Sequence, residues 1–148
     1  MKTSQKGIDL IKKYEGFRSH PYMCPAGVPT IGYGATYYSN GRKVRLSDPA
    51  ISKAEAEKLL RYQLKHYERA VDRYTRDDIS QEQFDALVSF AYNLGPSALR
   101  RSTLLKKVNR NPNDKGIGYQ FKRWVRANGR ILKGLQRRRN EEAQLYFS

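Results

Sequence analysis

Cysteine and histidine are nearly absent from this chain of 148 residues. It has one cysteine, Cys24, and two histidines, His20 and His66. One cysteine excludes a disulfide within the chain and any zinc cluster built on cysteines. Two histidines far apart in the sequence do not have the spacing of metal ligands, so we predict no metal site and no cofactor.

Long apolar runs are also missing. No stretch approaches the ~18 consecutive apolar residues that a membrane-spanning helix needs. The N-terminal segment, MKTSQKGIDLIKKYEG, lacks the continuous apolar core of a signal peptide. The sequence therefore predicts a protein that is made in a cytoplasm and has no secretion route of its own.

Acidic residues are scarce relative to basic ones. The chain has 14 Asp and Glu against 29 Lys and Arg, which gives a formal net charge of +15. Such a charge indicates an anionic partner, but it does not choose among nucleic acid, a membrane surface and an acidic polymer. Hydrophobic residues make up 39% of the chain and aromatic residues 11%, which excludes a disordered protein. The length suits one domain, or two lobes that share a core.

Helical periodicity dominates most of the chain. Ser52 and Glu55 form a capping-box pattern before a long helix to about residue 74, and Ser80 with Gln83 repeats that pattern before a helix that ends near Gly95. Further helices are predicted over 1–13, 103–108, a stretch from 121 that ends near Asn128-Gly129, and 134–147.

Strand-favouring residues are confined to residues 18–46. The segment VPTIGYG indicates a strand closed by glycines, and Asn40-Gly41 is a strong signal for a two-residue hairpin turn. We predict a small antiparallel sheet there with about three strands.

Glu15 lies where the first helix meets this turn-rich region. Ile8 and Ile11 come before it at helical spacing, and Gly16 directly after it allows the chain to leave the helix. A carboxyl group at such an exit, backed by an apolar face, can be desolvated and kept protonated, as a general acid requires. Taken alone, however, most glutamates at helix ends are solvated surface groups.

Two motifs in this region resemble the catalytic signature of phage-type lysozymes, the T4-like endolysins of glycoside hydrolase family 24. They are Glu15-Gly16-Phe17-Arg18 and Pro29-Thr30-Ile31-Gly32-Tyr33-Gly34, with Tyr22 between them. SFAYNLG in the middle of the chain, and the pattern from Trp124 through GLQRRR near its end, are likewise similar to the family. The resemblance thus covers nearly the whole chain.

This resemblance implies a fold and a domain organisation. The fold class would be α+β and mostly α, a lysozyme-like fold with two lobes in a single domain, 1–148. A lobe with the small antiparallel sheet (about 15–50) would be joined by a long helix (about 52–75) to a helical lobe (about 76–148), on which the first helix packs.

The resemblance also implies site residues. Glu15 stands at the position of the general acid, and Thr30 at that of the threonine that holds the attacking water. The position between them, nine residues after Glu15, is occupied by Cys24 where the family usually has aspartate. Gly32 and Tyr33 fall within the motif and are candidates for substrate binding or for orienting the acid.

Cys24 leaves the chemistry of the second group open. A free thiol has a pKa near 8.5 and is mostly neutral at pH 7, whereas aspartate would be charged. Cys24 is therefore a base or nucleophile with a depressed pKa, or a bystander beside Glu15 and Thr30.

The activity implied is hydrolysis of the β-1,4 bond between N-acetylmuramic acid and N-acetylglucosamine in peptidoglycan, which lyses the host wall. Two alternatives remain. A lytic transglycosylase would cut the same bond with one acid and no water. A basic protein that binds walls or nucleic acid without catalysis would retain only the fold.

The basic run Arg137–Arg139 has two interpretations. It could contact nucleic acid, but no recognition-helix, zinc-finger or aromatic-interleaved motif accompanies it. The family resemblance implies instead that one arginine here orients the catalytic glutamate, and we predict Arg137.

The implied partner is anionic peptidoglycan rather than nucleic acid. We also expect a monomer that is made in the host cytoplasm and reaches the wall or periplasm after membrane permeabilisation by a separate holin.

Overall fold

Helices account for most of the chain, and the computed structural model describes residues 1–148. The prediction of a mostly helical protein with a small antiparallel sheet is confirmed. None of the helices is long and apolar enough to span a membrane. In chain order the elements are α1 (Gln5–Glu15), β1 (Arg18–Met23), β2 (Pro29–Gly32), α2 (Lys53–Tyr74), α3 (Gln81–Leu94), α4 (Pro96–Arg101), α5 (Thr103–Arg110), α6 (Gly116–Lys122), β3 (Arg126–Ala127), β4 (Arg130–Ile131) and α7 (Lys133–Tyr146).

The chain divides into two compact units. The larger unit comprises residues 1–10 and 66–148, and the smaller unit comprises residues 11–65. The lobe boundaries predicted from the sequence, with a linking helix over 52–75, stay a prediction.

Helix α3 forms the centre of the larger unit. The helix is capped by Ser80, whose hydroxyl accepts from the Gln83 amide while the Gln83 side chain accepts from the Ser80 amide, so the predicted capping box is confirmed. The next residues of α3 have no exposed surface, and its Phe90 ring packs at 5.5 Å from Trp124 and 5.9 Å from Phe121. This apolar core fixes α7, the helix with the basic run, against α3.

The start of α1 is tied to α3 in the larger unit. The Ser4 amide donates to Asp85 Oδ1 at 3.0 Å, and the Ser4 hydroxyl donates to the other carboxylate oxygen. Asp85 is fully buried, and Gly7 packs so closely that an added Cβ would lie 2.9 Å from the Asp85 side chain. The helix that ends at Glu15 therefore begins at a firmly held point.

The smaller unit contains the β1–β2 sheet and the first part of α2. Its core is Ile31, Ala35, Val44 and Leu59, with Tyr38 and Ile51 packed against it. The capping box at the start of α2 is confirmed, since the Glu55 amide donates to Ser52 Oγ at 3.1 Å and Glu55 accepts from the Ser52 amide at 3.0 Å.

The expectation of three strands in this unit is wrong. Only β1 and β2 form a ladder, and the segment around Asn40-Gly41 closes through one isolated bridge between Tyr37 and Lys43. Backbone hydrogen bonds from Tyr38 to Arg42 O and from Val44 to Thr36 O, both 2.9 Å, hold this segment together with the Asp48 side chain. Asp48 accepts from the Tyr38 hydroxyl at 2.7 Å and from the Arg45 amide at 2.9 Å. These hydrogen bonds, led by that from the Arg45 amide, lower the pKa of Asp48 to about 2.

A second hairpin replaces the helical stretch predicted to end near Asn128-Gly129. Helix α6 ends at Lys122, and β3 pairs with β4 through Arg126–Ile131 and Ala127–Arg130. Asn128 and Gly129 have φ angles of 51° and 76°, which suit a two-residue hairpin turn. The apolar residues on either side of this turn are spaced as in a helix, and for that reason the sequence predicted a helix here.

Candidate active site

Glu15 is the last residue of α1 and is half-buried. The Gly16 amide donates to Lys12 O at 2.9 Å, and Gly16 has a φ of 73°. A positive φ at the residue after a helix ends it and redirects the chain, and glycine adopts it without strain. The local sequence therefore places Glu15 at a helix exit, directly before β1.

A tight connection between β1 and β2 places Cys24. The Gly27 amide donates to Cys24 O at 2.8 Å, and the Cys24 amide donates to Val28 O at 3.1 Å. Pro25 is suited to the second position of such a turn, and Gly27 takes a φ of 78°. The turn therefore holds Cys24 at a fixed, half-exposed position at the end of β1.

Hydrogen bonding favours ionisation of the Cys24 thiol. The backbone amide of Val28, followed by the Thr30 hydroxyl, lowers the pKa of Cys24 below its ordinary value; burial opposes this shift, and the Ala26 amide adds to it. Donors lower a thiol pKa because they stabilise the thiolate more than the neutral form. The thiolate is the form that can accept a proton or attack carbon.

Thr30 lies beside Cys24 in β2. Its side chain is buried, at 3% exposure, and its hydroxyl donates to Val28 O at 2.8 Å. When the Cys24 thiol ionises, the one proton of this hydroxyl can turn to the thiolate instead, which lowers the pKa of Cys24. Two of the three residues predicted for catalysis are thus brought together by one hairpin.

Tyr22 lies in β1, and its hydroxyl is influenced by the charges of both Glu15 and Cys24. The sequence analysis did not assign Tyr22 a role in the site. Burial raises the pKa of Tyr22; the charge of Arg18 opposes this, while those of Glu15 and Cys24 add to it. The Arg18 guanidinium lies 4.3 Å from the centroid of the Tyr22 ring. Tyr22 faces Thr30 across the sheet. Its place in the sequence, between the Glu15 motif and Cys24, was the signal available.

Gly32 and Tyr33 lie at the end of β2. Gly32 has a φ of 68°, and an added Cβ would lie 3.2 Å from Ala56 Cβ. The Tyr33 ring is 5% exposed and packs 5.6 Å from Phe17, with Lys12 Nζ 5.4 Å from its centroid. These contacts give both residues a packing function in the hairpin, and their predicted contact with substrate stays a prediction.

The basic run on α7 does not form a continuous charged surface. Arg137 is exposed, whereas Arg138 and Arg139 are 3% and 0% exposed and form ion pairs with buried Glu142. A nucleic-acid contact by all three arginines is therefore wrong, because burial removes two of them from the surface. Arg137 lies in the larger unit, and Glu15, Cys24 and Thr30 lie in the smaller one.

Comparison with known proteins decides the family. Residues 12–142 match the sequence model of the phage lysozyme family. The chain belongs to the phage lysozyme family. The predictions of a lysozyme fold and of an enzyme of the lysozyme class are confirmed.

Curated relatives of this family member are endolysins of phages. The endolysin of Bacillus phage B103 is 40% identical, and the match covers all of this chain and 55% of the relative. The endolysin of Salmonella phage P22 is 35% identical, and the match covers all of this chain and 99% of the relative. The chain therefore spans about half the length of the first relative and nearly all of the second.

A solved structure shows the same fold. The endolysin from Escherichia coli O157:H7 phage FAHEc1 superposes with a TM-score of 0.90 at 34% identity. The match covers 100% of this chain and 94% of the other.

Proposed function

We propose that this phage lysozyme hydrolyses the β-1,4 bond between N-acetylmuramic acid and N-acetylglucosamine in peptidoglycan. Glu15 is the general acid, Cys24 is the base, and Thr30 positions the attacking water. The observation that carries the proposal is the tight turn that fixes Cys24 beside buried Thr30, and the Val28 amide lowers the pKa of the thiol there. A lower pKa favours the thiolate, the form that can take the place of the family's usual aspartate as a base.

The acid step uses protonated Glu15. Its carboxyl proton passes to the glycosidic oxygen as the bond from that oxygen to the anomeric carbon breaks. Positive charge then develops on the ring, and the carboxylate left behind stabilises it. The position of Glu15 at a glycine-terminated helix end supports this step, because the helix fixes the backbone from which the carboxyl projects.

The water step uses Cys24 and Thr30. A water held by the Thr30 hydroxyl attacks the anomeric carbon and gives its proton to the Cys24 thiolate. A new carbon–oxygen bond forms, and the product ends in a reducing muramic acid. The thiol later returns its proton to solvent while Glu15 is reprotonated.

Peptidoglycan is the partner in this proposal, and the net charge of +15 supports its anionic chemistry. Access to the wall through a separate holin, and a monomeric state, stay predictions.

Mass spectrometry of fragments released from purified peptidoglycan tests the reaction. We expect soluble muropeptides that end in reducing N-acetylmuramic acid. In water labelled with oxygen-18, each new reducing end gains one heavy oxygen, since the acceptor is water. Anhydromuramic ends, lighter by one water and unlabelled, would instead identify a transglycosylase. Release of no fragments would remove the enzymatic proposal.

The Cys24 variants give a pH-dependent prediction. If Cys24 is the base, kcat/KM rises with pH as the thiol ionises, with a midpoint below the ordinary thiol value of about 8.5. Cys24→Asp should move this rise to strongly acidic pH, because a carboxyl group ionises there. Cys24→Ser should lower the rate about 100-fold or more and abolish the rise, because a hydroxyl does not ionise in this range.

Alkylation supplies an independent control for this series. Cys24 is the only cysteine, so the rate of iodoacetamide labelling against pH reports its ionisation alone. The midpoint of labelling should coincide with the midpoint of kcat/KM in the native protein. A Cys24→Ser variant with full activity and an unchanged pH profile would show that the thiol is a bystander.

A further inference from the structure

A cavity in the larger unit lies between the end of α6 and the first turns of α7. Its volume is about 430 Å³, and its lining residues are Lys122, Val125, Lys133, Gln136, Arg137 and Asn140. The four residues from α7 follow one another at spacings of three, one and three, so they share a single face of that helix.

Positive charge in this cavity is uncompensated. Lys122, Lys133 and Arg137 are all exposed, none of them forms a salt bridge, and the lining contains no acidic residue. Elsewhere in the same unit basic side chains do pair with carboxylates, as Arg76 does with Asp78 and Lys107 with Asp114. Three unpaired cations around one cavity repel each other unless an anion lies among them.

The exposed hairpin next to the cavity continues the same charge. Arg126 and Arg130 lie on β3 and β4, and every charged residue from Lys122 to Arg137 is basic. The cavity is therefore the concave part of a longer cationic surface, which suits a polymer better than a small isolated ion.

The lining chemistry identifies the class of polymer. Lysine ammonium groups and an arginine fork bind phosphate oxygens, and the carboxamides of Gln136 and Asn140 can donate to and accept from hydroxyl groups. No aromatic ring lines the cavity on which a base could stack, as nucleic-acid grooves require. Val125 is the one apolar lining residue, which is too little for an acyl chain.

We propose that this cavity binds a polyol-phosphate polymer of the cell envelope, that is, a chain of alternating phosphodiesters and hydroxylated carbons. Lys122, Lys133 and Arg137 contact the phosphates, and the carboxamides contact the hydroxyls. The two lysine contacts are not needed for the hydrolysis of peptidoglycan, and the site would retain the enzyme on walls that carry such polymers.

The test measures binding without hydrolysis. Purified poly(glycerol phosphate) is titrated into the full chain by isothermal calorimetry at several salt concentrations. Lys122→Gln/Lys133→Gln removes two lysines and leaves Arg137 in place. Its matched control is Arg69→Gln/Lys106→Gln, which removes the same charge from two exposed positions outside the cavity.

We expect the affinity of the cavity variant for poly(glycerol phosphate) to fall about tenfold, with a shallower dependence on salt, since a complex with fewer phosphate contacts releases fewer counterions. The affinity of the control variant should fall by less than about threefold, which is half of the tenfold loss on a logarithmic scale. Both variants should keep the native melting temperature and the native rate on phosphate-free peptidoglycan.

Three results would overturn the proposal. Equal loss in both variants would mean that the overall charge binds the polymer and not the cavity. Equal affinity for polyglutamate would mean that phosphate is not recognised. Tighter binding of a single-stranded oligonucleotide, weakened by the same two substitutions, would identify a nucleic-acid site instead. Failure of peptidoglycan cleavage would leave these binding results unaffected, so the two proposals are tested separately.

Discussion

Glu15→Gln is expected to lower kcat/KM on peptidoglycan by about 1,000-fold or more, near the upper range of general acid catalysis. Glutamine keeps the shape of the side chain but has no proton to give to the glycosidic oxygen. Clearing of a wall suspension, followed over hours, measures the residual rate.

The same variant allows a test of mechanism beyond loss of rate. An aryl glycoside whose phenol leaves as a stable anion needs no proton from the enzyme, so Glu15→Gln should cut it at close to the native rate. Glu82→Gln is the matched control, because it makes the same chemical change in the first turn of α3 and should keep native activity on both substrates.

Two results would contradict the assignment. Retention of more than about a tenth of the activity on peptidoglycan would show that Glu15 is not the general acid. Equal loss on both substrates, with an unchanged melting temperature, would place the effect in binding or in charge stabilisation rather than in proton transfer.

Local signals explain which parts of the fold the sequence predicts well. The capping boxes at Ser52 and Ser80 involve residues three positions apart, so the interacting groups are visible in the sequence. The same holds for the helix exit at Gly16. Cys24 and Thr30 are six positions apart and meet through one turn, so their proximity depends on local structure alone.

The missed features depend on contacts between distant segments or on very short elements. β3 and β4 have two residues each, too few for an alternating pattern to show against the helical spacing around them. Arg138 and Arg139 look like surface residues in the sequence, yet Ser89 and Asn93, about fifty positions earlier, help to bury them. No pattern along α7 alone reveals this.

The buried charge cluster on α7 gives the largest expected effect on stability. Glu142 is 0% exposed; its Oε1 lies 2.6 Å from Arg139 Nε, and its Oε2 accepts from the Ser89 hydroxyl at 2.5 Å. Arg138 Nε lies 3.3 Å from the same Oε2. Burial raises the pKa of Glu142, and the charges of both arginines act against this shift. The carboxylate of Glu142 is therefore shared by two buried cations.

Glu142→Leu is expected to lower the free energy of unfolding by about 3–5 kcal/mol, because it removes a buried carboxylate that pairs with two buried guanidinium groups. For a chain of this size the melting temperature should fall by roughly 10 °C or more. Gln144→Leu makes a change of the same size at an exposed position of α7 and should shift the melting temperature by no more than about 2 °C.

The triple variant Arg138→Met/Arg139→Met/Glu142→Leu separates charge from packing, since removing a buried ion cluster entirely is often neutral. If uncompensated charge is the cause, the triple variant is more stable than Glu142→Leu alone; if it is equally or less stable, the loss comes from packing and hydrogen bonds to Ser89 and Asn93 instead.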